Sequence, residues 1–380
     1  MFIFVAKIIK KLSVTSKKSY RICIVSEQLA GGGAERCSAV LSHYFNANNC
    51  SVHHVIVIDK VEYDFAGNIL NLGKLKNERN SFFNRIYRLK ALYQFFNNNK
   101  FDFIIDTRVL NKQWQEYFII KFIYNAPVLK MVHSFITNWY FPKNTFLAKS
   151  IYSNTKKIIA VSKAIENKIS QEYQYKQIET IYNPIDFNWI NKQLEFDVIQ
   201  EFNFILAVGN MKNNVKQFDH LIECYSKSNL PNADIKLLII GEGNKRATFE
   251  KLVLSLNLKD KVIFKGKIDN PFPFYKKALF SLLTSKNEGF PTVLLESLAC
   301  QTPVVSYNCL SGPSEIITNQ ENGILVENQN KDKMIEAMNE MISNKQLYLH
   351  CKNNAKSSVD KFSIENIGNQ WLQLFNSLQK

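Results

Sequence analysis

From residue 21 onward, short apolar runs rich in β-branched residues alternate with stretches in which apolar positions recur every three or four residues. RICIVSE (21–27), VHHVIVI (52–58), FDFIID (101–106), PVLKMV (127–132) and KKIIAVS (156–162) read as strands, with amphipathic helical patterns between most of them. IYNPIDF (181–187) interrupts the alternation, because Pro184 pushes Asn183 toward extended backbone. A second alternation follows: FILAVG (204–209), DIKLLIIG (234–241), KVIFKG (261–266), LFSLLTS (279–285) and TPVVSY (302–307). Strands separated by helices call for parallel sheets covered on both faces. The expected class is therefore α/β, with two Rossmann-like parallel-sheet domains in tandem and a ligand cleft between them. The expected divisions are a basic leader (1–20), a first domain (21–183), a second domain (184–360) and a terminal helix (361–380). Ile367, Trp371, Leu374 and Leu378 give that last helix its apolar stripe. It packs across both domains or stays on the second.

Composition narrows the class of partner. The chain has 380 residues, enough for two domains of about 150 to 200 each. It is 46% hydrophobic and 13% aromatic, which excludes a disordered chain. The net charge is +15 (48 basic less 33 acidic residues), which calls for an anionic partner: a membrane surface, a nucleic acid or a phosphorylated substrate. The seven cysteines are scattered, with no C-x-x-C, which argues for free thiols and a cytoplasmic setting rather than disulfides or zinc. No apolar run reaches the length of about 18 residues that a membrane-spanning helix needs. The leader sets Phe4, Ile8 and Leu12 on one helical face and Lys7 and Lys11 on another. It reads as a helix lying on an anionic membrane surface or as a frayed basic tail.

Three stretches carry chemistry. In EQLAGGGAERCSAVLSHYF (27–45) a strand ends, three glycines follow and a helical pattern begins, so the backbone can approach a phosphate and the helix start can face it. The G-x-G-x-x-G and G-K-[ST] spacings are absent, and the loop is otherwise a simple turn. In AVGNMKNNVKQFDHLIECY (207–225), Lys216 stands just before a helix, either as a point charge for phosphate or as a surface lysine. In NEGFPTVLLESLACQTPVV (287–305), Glu288 precedes Gly289-Phe290-Pro291 and Glu296 follows eight positions on. A helix starting near Pro291 leaves amide N–H groups unpaired for a diphosphate. Carboxylates on either side are good acceptors for sugar hydroxyls. Read blandly, the same stretch is a helix start with two surface acids; read for chemistry, it outlines a nucleotide-sugar site. His133 follows a strand end, where it enters the cleft or serves as a core histidine. No D-x-D and no His pair at metal spacing occurs, so no metal site is expected.

Together these stretches resemble the retaining glycosyltransferases of the GT-B fold in the large family 4 group. The resemblance runs from about residue 21 to 376. It rests on GGGAE, VSKAI, IYNPID, VGN followed by Lys216 and FDHLIE, GEG (241–243), FKG with NPFPFYKKA, EGFPTVLLESLACQTPVV and GPSEII (312–317). It implies that Glu296 holds ribose hydroxyls and that Glu288 and His133 lie near the donor sugar. Gly289, Phe290, Pro291 and Thr292 line the sugar-phosphate. Lys216 sits on the diphosphate, residues from Gly266 to Ile268 flank the base, and Gly32 and Gly33 complete the phosphate side. It further implies metal-independent transfer with retention and no cofactor, from a UDP-hexose or UDP-N-acetylhexosamine to a glycan or a polyprenyl-diphosphate-linked acceptor. One position departs: the family places Arg after the strand-end glycine, with Lys six residues on, whereas here Asn210 follows Gly209.

NLGKLKNERNSFFNRIYRLKALYQFF (71–96) adds six basic residues to the acceptor half and sets Ile86, Leu89, Tyr93 and Phe96 at helical spacing. With the basic leader it fits peripheral contact with an anionic membrane, or it is a solvated basic helix. The alternatives to a transferase are a nucleotide-sugar epimerase or glycan phosphorylase of the same fold, and a basic nucleic-acid binder. The last lacks any recognised RNA- or DNA-binding module, so no nucleic-acid partner is expected.

Overall fold

The computed structural model describes residues 19–79, 81–198 and 200–379. The leader's proposed helical face (Phe4, Ile8, Leu12) lies outside the described residues. Thirteen strands are described: β1 (Arg21–Ser26), β2 (Ser51–Ile56), β3 (Asn68–Asn71), β4 (Phe103–Asp106), β5 (Val128–Val132), β6 (Thr155–Ala160), β7 (Ile178–Thr180), β8 (Phe204–Val208), β9 (Lys236–Ile240), β10 (Val262–Gly266), β11 (Ser281–Leu283), β12 (Val304–Tyr307) and β13 (Gly323–Val326). They form two sheets, ordered β3-β2-β1-β4-β5-β6-β7 and β10-β9-β8-β11-β12-β13.

The second sheet is parallel throughout. Its chain path winds outward from β8 through β9 to β10, then crosses back and winds the other way from β11 through β12 to β13. The reversal falls between β8 and β11. At such a switch point the loops leaving the two strands diverge and open a crevice at the strands' carboxyl ends. In the first sheet the same reversal falls between β1 and β4.

One face of the second sheet is covered by two helices that pack side by side. Ile205, Leu237 and Ile239 pack with Phe218, Leu221, Ile222 and Tyr225 of helix Phe218–Lys227 and with Met334, Met338 and Met341 of helix Lys331–Ser343. Each such aliphatic or aromatic side chain taken out of water contributes about 1.5–3 kcal/mol. The terminal helix Ile364–Leu378 buries Ile367, Trp371 and Leu374, three of the four residues of its sequence stripe.

The chain parts into two compact units. One comprises Met1–Arg108, Lys112–Leu129 and Ile151–Lys156; the other comprises Val109–Asn111, Lys130–Ser150 and Lys157–Lys380. The second unit therefore includes the loop after β5, with His133, as well as the whole six-stranded sheet.

Candidate functional site

The loops leaving β8, β9 and β10 are stacked on one another by backbone hydrogen bonds. Gly209 N–H donates to Ile240 O (3.0 Å), Met211 N–H to Glu242 O (2.8 Å), Lys245 N–H to Met211 O (3.0 Å) and Gly241 N–H to Gly266 O (2.8 Å). Gly241 has φ +146°, and a Cβ there would stand 1.8 Å from Gly209 O, so only glycine lets these two loops meet. Asn210, at the top of this stack, is exposed, and Ile268 is half-buried.

Lys216 is fixed by the next loop across the switch point. Thr284, just past β11, donates its hydroxyl to Lys216 O (2.9 Å) and Gln217 O (3.1 Å), and Lys286 N–H donates to Val215 O (2.8 Å). Gln217 caps helix Phe218–Lys227 in the left-handed region (φ 47°). Its amide forms a reciprocal pair with that of Gln329: Gln217 Nε2 donates to Gln329 Oε1 (2.9 Å) and Gln329 Nε2 to Gln217 Oε1 (2.8 Å).

From that anchored backbone the Lys216 ammonium reaches Glu288 Oε1 at 2.6 Å, with only 16% and 13% of the two side chains exposed. The two stretches that sequence reading singled out separately thus meet in a mostly buried ion pair beside the start of helix Thr292–Ala299. That helix begins at Pro291 with no side-chain cap, so its leading amides carry the positive end of the helix dipole with no competing side-chain acceptor.

The NEGFP loop is held on its other side by the loop after β5. Phe135 N–H donates to Glu288 O (3.3 Å). A Cβ on Gly289 would stand 1.9 Å from His133 O, so backbone lies on backbone there. Ser311 donates its hydroxyl to Gly289 O (2.6 Å) and shares a 2.6 Å hydrogen bond with Ser162. Phe290 is buried between Tyr182 and Phe362, with ring centroids 5.0 and 5.1 Å away. Pro291 is buried and Thr292 half-buried.

His133 is brought against this loop. Both its ring nitrogens are buried without a hydrogen-bond partner among the described residues, though the residue as a whole is half-buried. Burial, with Lys130 adding to it, pushes the imidazole down to about 3, so it is neutral at physiological pH. A buried polar ring without a partner is costly unless something else fills the role.

Glu296 is 7% exposed and sits on the inner side of its helix, where Tyr275 Oη donates to Oε2 at 3.3 Å. Gly32 and Gly33 lie in the first unit, where Gly32 caps helix Gly33–Ala47 (φ −125°, ψ 169°). The carboxylate of Glu35 folds back over that helix start: a Cβ on Gly32 would meet Glu35 Oε2 at 2.4 Å.

Sequence reading missed the supports. Besides the Ser162–Ser311 pair, Glu315 accepts from Lys163 N–H (2.9 Å) and Ala164 N–H (3.3 Å), holding the start of helix Lys163–Tyr173. The available signal was Gly312-Pro313 opening a helix, with an acid two positions on. Among the described residues, no three His, Cys, Asp or Glu side chains gather as a metal would require.

Comparison with known proteins places the chain in a family. The family model for Glycosyl transferases group 1 matches residues 191–358, and that for Glycosyltransferase Family 4 matches residues 31–189. The chain belongs to the group 1 glycosyltransferases, and its fold is GT-B. Among curated proteins it is 28% identical over 345 residues to the N-acetylgalactosamine-N,N'-diacetylbacillosaminyl-diphospho-undecaprenol 4-alpha-N-acetylgalactosaminyltransferase of Campylobacter jejuni, covering 88% of this chain and 93% of that one. It is 27% identical over 215 residues to an uncharacterized glycosyltransferase of Haemophilus influenzae, 57% of this chain and 60% of that one. Among solved structures, the sucrose-phosphate synthase of Thermosynechococcus elongatus superposes with a TM-score of 0.77 at 18% identity, over 94% of this chain and 99% of that one.

Proposed function

We propose that this glycosyltransferase moves a hexose or N-acetylhexosamine from a UDP-sugar, with retention, to a polyprenyl-diphosphate-linked glycan in the building of a cell-surface polysaccharide. The carrying observation is the Lys216–Glu288 pair at the uncapped start of helix Thr292–Ala299. A cation, a helix N-terminus and a carboxylate side by side are what a diphosphate joined to a sugar requires: amides and ammonium for the phosphates, carboxylate for hydroxyls. The acceptor class is supported by the Campylobacter relative, whose name states a diphospho-undecaprenol acceptor and an alpha linkage.

In this reading the diphosphate draws Lys216 away from Glu288, and Glu288 turns to the donor sugar. His133, neutral and without a partner, hydrogen-bonds a sugar hydroxyl. Glu296 takes the ribose hydroxyls, with Tyr275 orienting its carboxylate. As the sugar leaves, charge grows on the phosphate, where Lys216 and the helix start stabilise it. The acceptor hydroxyl attacks from the same face, and its proton passes to the departing phosphate oxygen. With Asn210 in place of an arginine, the leaving charge rests on one side-chain cation and the amides. No metal is invoked in this scheme.

The test is a thermal-shift screen of the protein against UDP-glucose, UDP-N-acetylglucosamine, UDP-N-acetylgalactosamine and GDP-mannose, repeated with Glu296→Gln. A UDP-sugar should raise the midpoint, and the variant should lose that rise while keeping its ligand-free midpoint within a few degrees. A variant that binds UDP as well as the parent sinks the site assignment. An inverted product anomer in NMR of the transfer reaction sinks retention.

A further inference from the structure

Helix Phe82–Asn98 in the first unit has two apolar faces. One is buried: Leu92 and Phe96 rest in the core with Cys23, Val25 and Ile104 of the sheet. The other carries Phe83 (80% exposed), Ile86 (48%), Tyr87 (56%) and Tyr93 (52%), spaced to lie on one outward stripe with Lys90 among them. Beside it runs the helical segment 113–123, whose Ile119 and Ile123 enter the same core. Its outer side shows Trp114 (66%), Phe118 (41%) and Phe122 (61%), the last two with ring centroids 5.3 Å apart. Two neighbouring helical segments thus leave aromatic stripes uncovered by the described residues, where a solvent-facing surface would be polar.

The charge around these rings has one sign. Lys74, Lys76, Arg79, Arg85, Lys90 and Lys112 are exposed, and between residues 74 and 122 Glu78 is the one exposed acid among the described residues. The loop carrying the first of these is tied to the helix start, with Asn84 Nδ2 donating to Leu75 O (2.8 Å). A second copy of the chain fits poorly here, because a two-fold contact would set these cations against themselves. An acidic, flat, partly apolar surface fits well. Among the described residues no helix is long and apolar enough to cross a membrane.

We propose that this face, formed by helix Phe82–Asn98, segment 113–123 and the loop 74–79, docks the protein on an anionic lipid bilayer, with the aromatic rings in the interfacial layer and the lysines and arginines on the headgroups. The docking follows from this face alone and stands whether or not the acceptor reading holds.

The test is co-sedimentation of the full chain with vesicles of phosphatidylcholine alone and of phosphatidylcholine with 30 mol% phosphatidylglycerol. Binding to the anionic vesicles alone is expected, weakening as salt rises. Two surface variants probe it. Phe83→Ser/Trp114→Ser/Phe122→Ser should lower the vesicle partition at least tenfold. Lys76→Glu/Arg79→Glu/Lys90→Glu should lower it further, at roughly fivefold for each cation lost near the surface. Both should keep the parent's thermal midpoint and its shift with UDP. No binding by the parent, or binding by both variants at the parent's level, which would place the contact in residues 1–18, overturns the proposal. So does a dimer of the parent, seen by light scattering, that the aromatic variant disperses.

Discussion

Replacing Glu288 by Gln and Lys216 by Met, singly and together, separates a structural ion pair from one that a ligand exchanges. At 2.6 Å the gross attraction is about 6 kcal/mol at an effective dielectric of 20, most of it offset by the lost hydration of both charges. An exposed pair of this kind contributes about 0–1 kcal/mol, while stranding one charge of a fully buried pair costs about 3–5. With 16% and 13% of the side chains exposed, the pair lies nearer the buried limit. Each single variant should lose about 2 kcal/mol, a fall of about 4–8 °C in thermal midpoint for a unit of this size. The double variant should lose little more than the worse single, leaving a coupling of about 1–2 kcal/mol. Calorimetric titration with UDP gives the decisive contrast. Lys216→Met removes a charge-assisted hydrogen bond to the diphosphate and should weaken UDP about 10- to 100-fold. Glu288→Gln removes the competitor for Lys216, so UDP should bind at least as tightly as to the parent while sugar transfer collapses. Equal loss of UDP affinity in both variants would refute the exchange and make the pair a strut of the loop.

Three further outcomes follow from the same geometry. Gly241→Ala forces a Cβ to 1.8 Å from Gly209 O and should cost at least about 3 kcal/mol and abolish the UDP-induced midpoint shift; a parent-like melting curve would contradict the stacked loops. Ser311→Ala removes the hydroxyl bonded to both Gly289 O and Ser162 and should lower stability by about 1–2 kcal/mol, read by urea denaturation. His133 titrates near 6.5 when unfolded and is held down to about 3 when folded, so between those values the unfolded chain binds the extra proton and stability falls as pH falls. His133→Leu should flatten the drop in midpoint between pH 6.5 and 4.5, and parallel curves for parent and variant would show that the ring is not shielded.

The long apolar runs foretold ten of the strands, each to within a few residues, because a strand buried on both faces must be apolar along its length. The three that escaped are β3 (NILN), β7 (IET) and β13 (GILV). All three lie at the ends of their sheets, where a strand needs only one partner, and each is only three or four residues long. β3 and β7 are also of mixed polarity and partly exposed, whereas GILV is apolar and mostly buried and escaped through its shortness alone. At the site, NEGFPTVLLE and Lys216 stood out because glycine, proline and charge interrupt apolar runs. That they meet did not, since contact between residues 72 positions apart depends on strand order, which no local pattern encodes. Helix Phe82–Asn98 shows the same limit: Ile86 and Tyr93 share a helical spacing with Phe96, yet only Phe96 is buried.

Gln217 sits where the backbone is at ease only for glycine or asparagine, and it is kept there by the paired amides with Gln329. Two demands collide at that one residue. Glycine in its place would relax the left-handed turn but give up both amide hydrogen bonds, a gain and a loss of about the same size, about 1–3 kcal/mol each. The brace beside the lysine would then be gone with little change in the melting curve to show for it, so a screen by heat resistance alone would pass over the one residue that sets where that cation points.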